Sequence, residues 1–273
     1  MKSLLERLNN VGFERTRRAV AALSLSLFVF LFLVFALLMW MNGQTAWVPS
    51  FIALAIAYAV AFMGVAAEWF WGRWFGAGLA WSGVITSVGV LFQLGEWNPV
   101  LGGYGILHGL VVLMLSGSKM AERYDLQPAW RERYGMDEFG VARLRKTVTR
   151  ASASLPSVIL YALAPKEPGQ AIFTAATLVA GVLAVAGLAS LVRVRTWGLV
   201  ALAGAAMALF VGGAAAYPHF NFAWANSGFL FPAWGYAWAY GNVVAGPAVP
   251  VLLLGAALAP FAGPTIRFLR ARG

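Results

Sequence analysis

The chain has no cysteine, only two histidines, and 11% charged side chains across its 273 residues. Without cysteine there can be no disulfide, no thiolate nucleophile, no Cys-ligated zinc and no iron–sulfur cluster. Two histidines cannot supply the facing pairs that ligate the paired haems of a membrane cytochrome. Neither an H-E-x-x-H zinc motif nor a phosphate loop occurs. Ser116-Gly117-Ser118-Lys119 matches S-x-x-K, but its companion motifs are missing and the match is treated as chance. Acid is scarcer than base, with ten Asp and Glu against twenty Lys and Arg, a net charge of +10. In a soluble protein that balance points to nucleic acid. Here no basic recognition helix or aromatic-basic pattern accompanies it, and no nucleic-acid partner is expected.

What the chain has in abundance is apolar length. Hydrophobic residues make up 61% and mean hydropathy is +0.75, whereas a soluble domain is about 25% charged and about 45–50% apolar. Crossing a hydrocarbon core of about 30 Å takes about 20 apolar residues. Residues 19–41, 48–70, 76–94, 171–192, 197–216 and 248–266 read as spans, with 100–116 slightly shorter. The run 19–41 is too long for a signal-peptide core of about 7–15 residues and reads as a retained anchor helix. The doubtful segment is 149–164, which is short and carries Ser152, Ser154, Ser157 and Pro156.

Charge decides that segment. If it crosses, nineteen of the twenty Lys and Arg fall on one side and only Lys166 on the other. If it does not, Arg193, Arg195, Arg267, Arg270 and Arg272 change sides and the division falls to 15 against 5. Basic loops are retained in the cytoplasm during insertion. The predicted fold is therefore an all-α, eight-transmembrane-helix bundle with both termini cytoplasmic and short amphipathic surface helices. The expected location is a bacterial inner membrane. Its parts are a cytoplasmic amphipathic segment 1–18, spans one to four within 19–118, and a basic cytoplasmic loop 119–148. Spans five to eight fall within 149–266, and a basic tail covers 267–273. Within 1–18, Leu4, Leu8 and Val11 recur at helical spacing among Lys2, Arg7 and Arg15, as in a helix lying among inner headgroups. In the basic loop, Pro128 predicts the start of a short helix that Gly135 ends. Asp137 is a predicted cap for a basic amphipathic helix feeding into the fifth span.

The opposite face carries almost no charge. Residues 217–247 hold no formal charge and ten aromatics, with Trp234, Tyr236, Trp238 and Tyr240 alternating with Ala and Gly. A membrane-surface helix is the preferred reading, because a lone strand would leave backbone groups unpaired. Such a loop serves as an interfacial belt, as a platform over an apolar ligand (quinone, pigment or lipid), or as a contact for a membrane-protein partner or a second copy of the chain.

His108 is the one titratable residue deep in a predicted span, about 12 Å from its outer end. An ionisable group at that depth faces other helices, and Gly105 and Gly109 around it have the spacing that lets helices approach closely. Glu96, His108 and His219 are the catalytic candidates, since general acid–base chemistry needs a carboxylate and an imidazole within hydrogen-bond reach. Gln93, Tyr104, Asn221, Asn226, Trp234, Trp238 and Asn242 are candidate ligand-binding residues of an outward-facing pocket. On the cytoplasmic side, Glu68 and Arg73 flank a tight aromatic turn and are expected to form an ion pair or to hold a lipid phosphate.

No cofactor is predicted, and no metal site. The expected partners are the bilayer itself and the anionic headgroups of its cytoplasmic face. Scarcity of polar residues favours a non-catalytic accessory or lipid- and apolar-ligand-handling protein. An intramembrane enzyme with an outward Glu/His site, and a small-molecule transporter or facilitator, are the alternatives.

Overall fold

A computed structural model describes residues 13–94, 97–166, 171–216 and 248–270, and these are helical throughout apart from their connections. In chain order the helices are α1 (Glu14–Met41), a 3-10 turn Thr45–Trp47, α2 (Val48–Ala66), α3 (Gly72–Leu94) and α4 (Pro99–Leu115). They continue as α5 (Ser118–Asp125), α6 (Pro128–Tyr134), α7 (Glu138–Leu163), α8 (Ala171–Val192), α9 (Trp197–Ala216) and α10 (Ala248–Arg270).

The surface of this bundle explains its setting. On α1 the buried stripe is Ala21, Leu25, Phe28, Phe32, Ala36 and Met39, with the three-to-four spacing of one helix face. The other face is equally apolar, with Leu23 at 71% and Phe30 at 64% exposed. Val182, Val200 and Leu252 repeat the pattern on α8, α9 and α10. Apolar surface on that scale is unstable in water and at ease in lipid. The protein is membrane-embedded. Four described helical segments are long and apolar enough to cross a bilayer: α1, the stretch Thr45–Ala66, α3 and α8. A fifth arises if α4 and α5, bent by 71° at their junction, count as one span.

Packing follows two groups of helices joined by one. Helices α1 to α4 contact one another on one side, α8 to α10 on the other, and α7 touches α2, α3, α8 and α10. In lipid the drive for such contacts comes from close packing and hydrogen bonds, not from excluding water. At the α3–α7 crossing Gly78 is required, because a Cβ there would collide with Ser152 Oγ and the Thr149 carbonyl.

Helix α7 merges two predicted elements into one. The Asp137 side chain accepts from the Gly140 N–H at 2.6 Å, which starts a continuous 26-residue helix. The basic amphipathic segment and the serine-rich segment after it are thus one rod, with Pro156 inside. Upstream, α6 begins at Pro128 and stops at Gly135, whose φ of +58° places it in the left-handed region where glycine is unstrained.

Candidate functional site

Four places have the chemistry of a site. The first surrounds His108, which is fully buried on α4. Its Nδ1 lies 2.8 Å from the Tyr104 carbonyl one turn earlier. A carbonyl only accepts, so Nδ1 carries the proton and Nε2 presents its lone pair. The Tyr58 hydroxyl of α2 donates to Nε2 at 2.7 Å, and the Tyr104 and Tyr58 hydroxyls are themselves hydrogen-bonded. The imidazole lies 3.8 Å, centroid to centroid, from the Phe28 ring of α1. Gly83 of α3 abuts its other side, where a Cβ would strike the ring. Every polar position of the imidazole is engaged, and the arrangement fits a neutral histidine locking four helices together. Of the two glycines at the expected spacing, Gly105 makes the close approach, to Ser87, whereas Gly109 faces open space.

The companions expected for His108 are not all described. Tyr104 is part of the cluster, and Gln93 falls in the last turn of α3. Glu96, His219, Asn221, Asn226, Trp234, Trp238 and Asn242 lie outside the described residues, as do Leu4, Leu8 and Val11.

The second place is the end of the bundle where α2 and α4 finish and α3 begins. Glu68 and Arg73 both stand there, but no ion pair joins them. Glu68 adopts a φ of +56°, and its carboxylate takes the Arg123 guanidinium in two bonds, Nε to Oε2 at 3.0 Å and Nη2 to Oε1 at 2.7 Å. Arg18 of α1 pairs with the same carboxylate. Arg73, one residue into α3, points instead to Asp125 at the end of α5, with Nη1 2.9 and 2.8 Å from its two oxygens. Asp125 is 2% exposed. It also accepts from Trp74 Nε1 at 2.7 Å and from Arg145 Nη1 at 3.1 Å. Sequence reasoning missed this hub because its partners lie 20 to 52 positions away. No local signal marked it, since the run 119–150 also holds Glu122, Glu132, Asp137 and Glu138.

These arginines also close helix ends. Arg17 of α1 donates to the Leu113 carbonyl at 2.9 Å and to that of Ser116, and Arg73 Nε donates to Leu115 at 2.8 Å. The carbonyls at the end of α4 and at its cap, of which that of Leu113 also accepts the Ser116 N–H, are thus bonded by cations from two neighbours.

The third place is a groove of about 800 Å³ bounded by α2, α7, α8 and the aromatic turn before α3. Ile56, Val60, Ile159, Val182 and Val185 line it, with Trp69 and Trp71 at one end. No ionisable side chain faces it. The fourth is a smaller pocket of about 250 Å³ between α3, α4 and α7, lined in part by Arg73, Trp81, Arg145, Lys146 and Arg150. Neither cavity reaches His108. Among the described residues no group of three or more His, Asp or Glu is placed to hold a metal. No protein-family model matches the chain, and neither a curated protein nor a solved structure does.

Proposed function

We propose that this is a non-catalytic lipid-handling protein whose groove between α2, α7 and α8 holds the acyl chain of a membrane lipid. In this reading the chain crosses a bacterial inner membrane eight times, with its basic end and both termini in the cytoplasm. Helices α7, α9 and α10 then join α4 and the four long spans as crossings, the arrangement that keeps nineteen of twenty cations on one face.

The observation that carries the proposal is the groove itself. A concave site of about 800 Å³ with an apolar wall suits a ligand that offers no hydrogen bonds. Its basic-end mouth is formed by Trp69, Trp71 and Val192. The next cations along the chain, Arg193 and Arg195, are exposed and complement the anionic headgroup of a lipid whose chain lies below. The enzyme alternative draws no support from His108, whose ring atoms are closed off. A transporter would be expected to keep titratable groups near mid-bilayer for coupling, and His108 is engaged in packing.

The test is extraction of the full-length protein in mild detergent, with native mass spectrometry of what stays bound. Wild type is expected to retain a diacyl lipid, and Ala189→Trp, which fills the groove from an exposed position on α8, to lose it. A protein free of lipid in both forms, or one carrying a quinone or pigment in that place, would overturn the assignment.

A further inference from the structure

The small pocket lies across α7 from the groove and has the opposite chemistry. Its basic wall is one face of α7: Arg145, Lys146, Thr149 and Arg150 follow the i, i+1, i+4, i+5 pattern of a single helical side. Ala77 and Trp81 of α3 and Val112 of α4 form the apolar wall, and Trp81 is 46% exposed on the lipid-facing surface.

Charge at this place is unbalanced. Arg73, Arg145, Lys146 and Arg150 line the pocket. Among the described residues the only carboxylate paired with any of them is Asp125, which takes Arg73 and Arg145. Four cations against one acid leave a surplus of three positive charges. Lys146 is exposed and has no ion pair among the described residues.

Three of the four cations are held in place before any ligand arrives, Arg73 by Asp125 and the Leu115 carbonyl. Arg145 is anchored by Asp125 through Nη1. Arg150 is anchored by the Ala256 carbonyl of α10, again through Nη1, at 2.6 Å. A guanidinium has five N–H donors in a fixed plane, so each keeps a free edge after these bonds form. Fixed arginine forks beside an exposed lysine match the oxygens of a phosphate, and holding the forks beforehand lowers the entropy lost on binding. Arg150 also stands in the first turn of the apolar half of α7, where an unpaired charge is expensive.

We propose that this pocket binds the phosphate of an anionic lipid headgroup, held by Arg145, Lys146 and Arg150, with the lipid chain descending along Trp81. The apolar wall selects a lipid over free phosphate, because only a ligand with a tail covers Ala77, Trp81 and Val112. The site does not rest on the groove, and either stands if the other fails.

The experiment titrates full-length protein in detergent with phosphatidylglycerol and, separately, with diacylglycerol of the same chains, read by native mass spectrometry. A preference of about tenfold for phosphatidylglycerol is expected, equivalent to about 1.4 kcal/mol. Lys146→Gln should reduce it several-fold without affecting folding, since Lys146 is exposed. Arg150→Lys keeps the charge but loses the fork and should also weaken the preference, whereas Ala189→Trp should leave it intact. Equal retention of the two lipids, or an unchanged preference in Lys146→Gln, would overturn the site. Inorganic phosphate added as competitor should not displace the lipid. Full displacement would overturn the lipid assignment.

Discussion

At mid-bundle, His108, Tyr58 and Tyr104 form a polar cluster with no formal charge. Helix α4 ends at Leu115, seven residues past His108 or about 10 Å by helix rise. Beside that end, capped by Arg17, Asp125 of α5 gathers Arg73 and Arg145. The two clusters share helices but solve different problems. In the apolar layer a charge has no solvent to fall back on, so each proton of the inner cluster is assigned to an acceptor within the bundle. At the basic end, water and headgroups are within reach, and charge surplus to the internal pairs is retained. Depth therefore separates polar groups that hold the bundle together from those still able to engage a ligand.

The sharpest way to break this contrast is at Asp125. Asp125→Asn leaves two guanidinium groups around a neutral side chain in a buried setting, and a loss of about 3–5 kcal/mol is expected, because one partner of a buried pair has been removed. Glu68→Gln, whose side chain is 27% exposed against 3% for Asp125, should lose about 1 kcal/mol or less per ion pair. Denaturation of both variants in the same mild detergent gives the difference; equal losses would erase the distinction between buried and peripheral charge.

Next comes the neutral cluster. Tyr58→Phe deprives the buried Nε2 of its donor and should cost about 1–3 kcal/mol. Adding His108→Phe removes the stranded acceptor as well, so the double variant should lose less than the sum of the two single ones. Strict additivity in that cycle would mean the two side chains are not coupled.

The effect set by pH belongs to Lys166, just beyond the far end of α7. Its ammonium donates to the carbonyls of Ala162 and Ala164 at 3.3 and 3.0 Å, yet burial pulls its pKa down from 10.5 to about 8. Between those values the unfolded chain binds more protons than the folded one, so stability rises with pH across about 8 to 10.5 and the burial penalty is fully present below 8. Melting profiles over that window should steepen for wild type and flatten for Lys166→Met; identical slopes would show that Lys166 is not the source.

Much of the helical layout was legible because apolar length is a one-dimensional property. The segments 171–192 and 197–216 coincide with α8 and α9, and the capping by Asp137 and the stop at Gly135 follow from local chemistry. Side-chain partners were not legible in the same way. Glu68 and Arg73 are neighbours in sequence, but the left-handed turn at Glu68 and the start of α3 at Gly72 send them to different partners. His108 was visible as a deep ionisable residue. Its ties to Tyr58, Phe28 and Gly83, on three other helices, depend on packing that residue spacing does not encode. The groove and the basic pocket were equally hidden, since each is assembled from three helices or more.

The bond from Arg150 to Ala256 has a consequence for how the protein is made. Pro260 lacks an N–H, so the carbonyl four residues earlier, that of Ala256, has no rung to close within α10. Arg150 supplies the missing donor from 106 residues upstream, and Thr147 donates to the next carbonyl at 2.7 Å. Synthesis from the N-terminus makes α7 well before α10. Helix α10 thus emerges with a gap in its ladder whose repair already stands on α7, which ties α10 to the middle of the polypeptide.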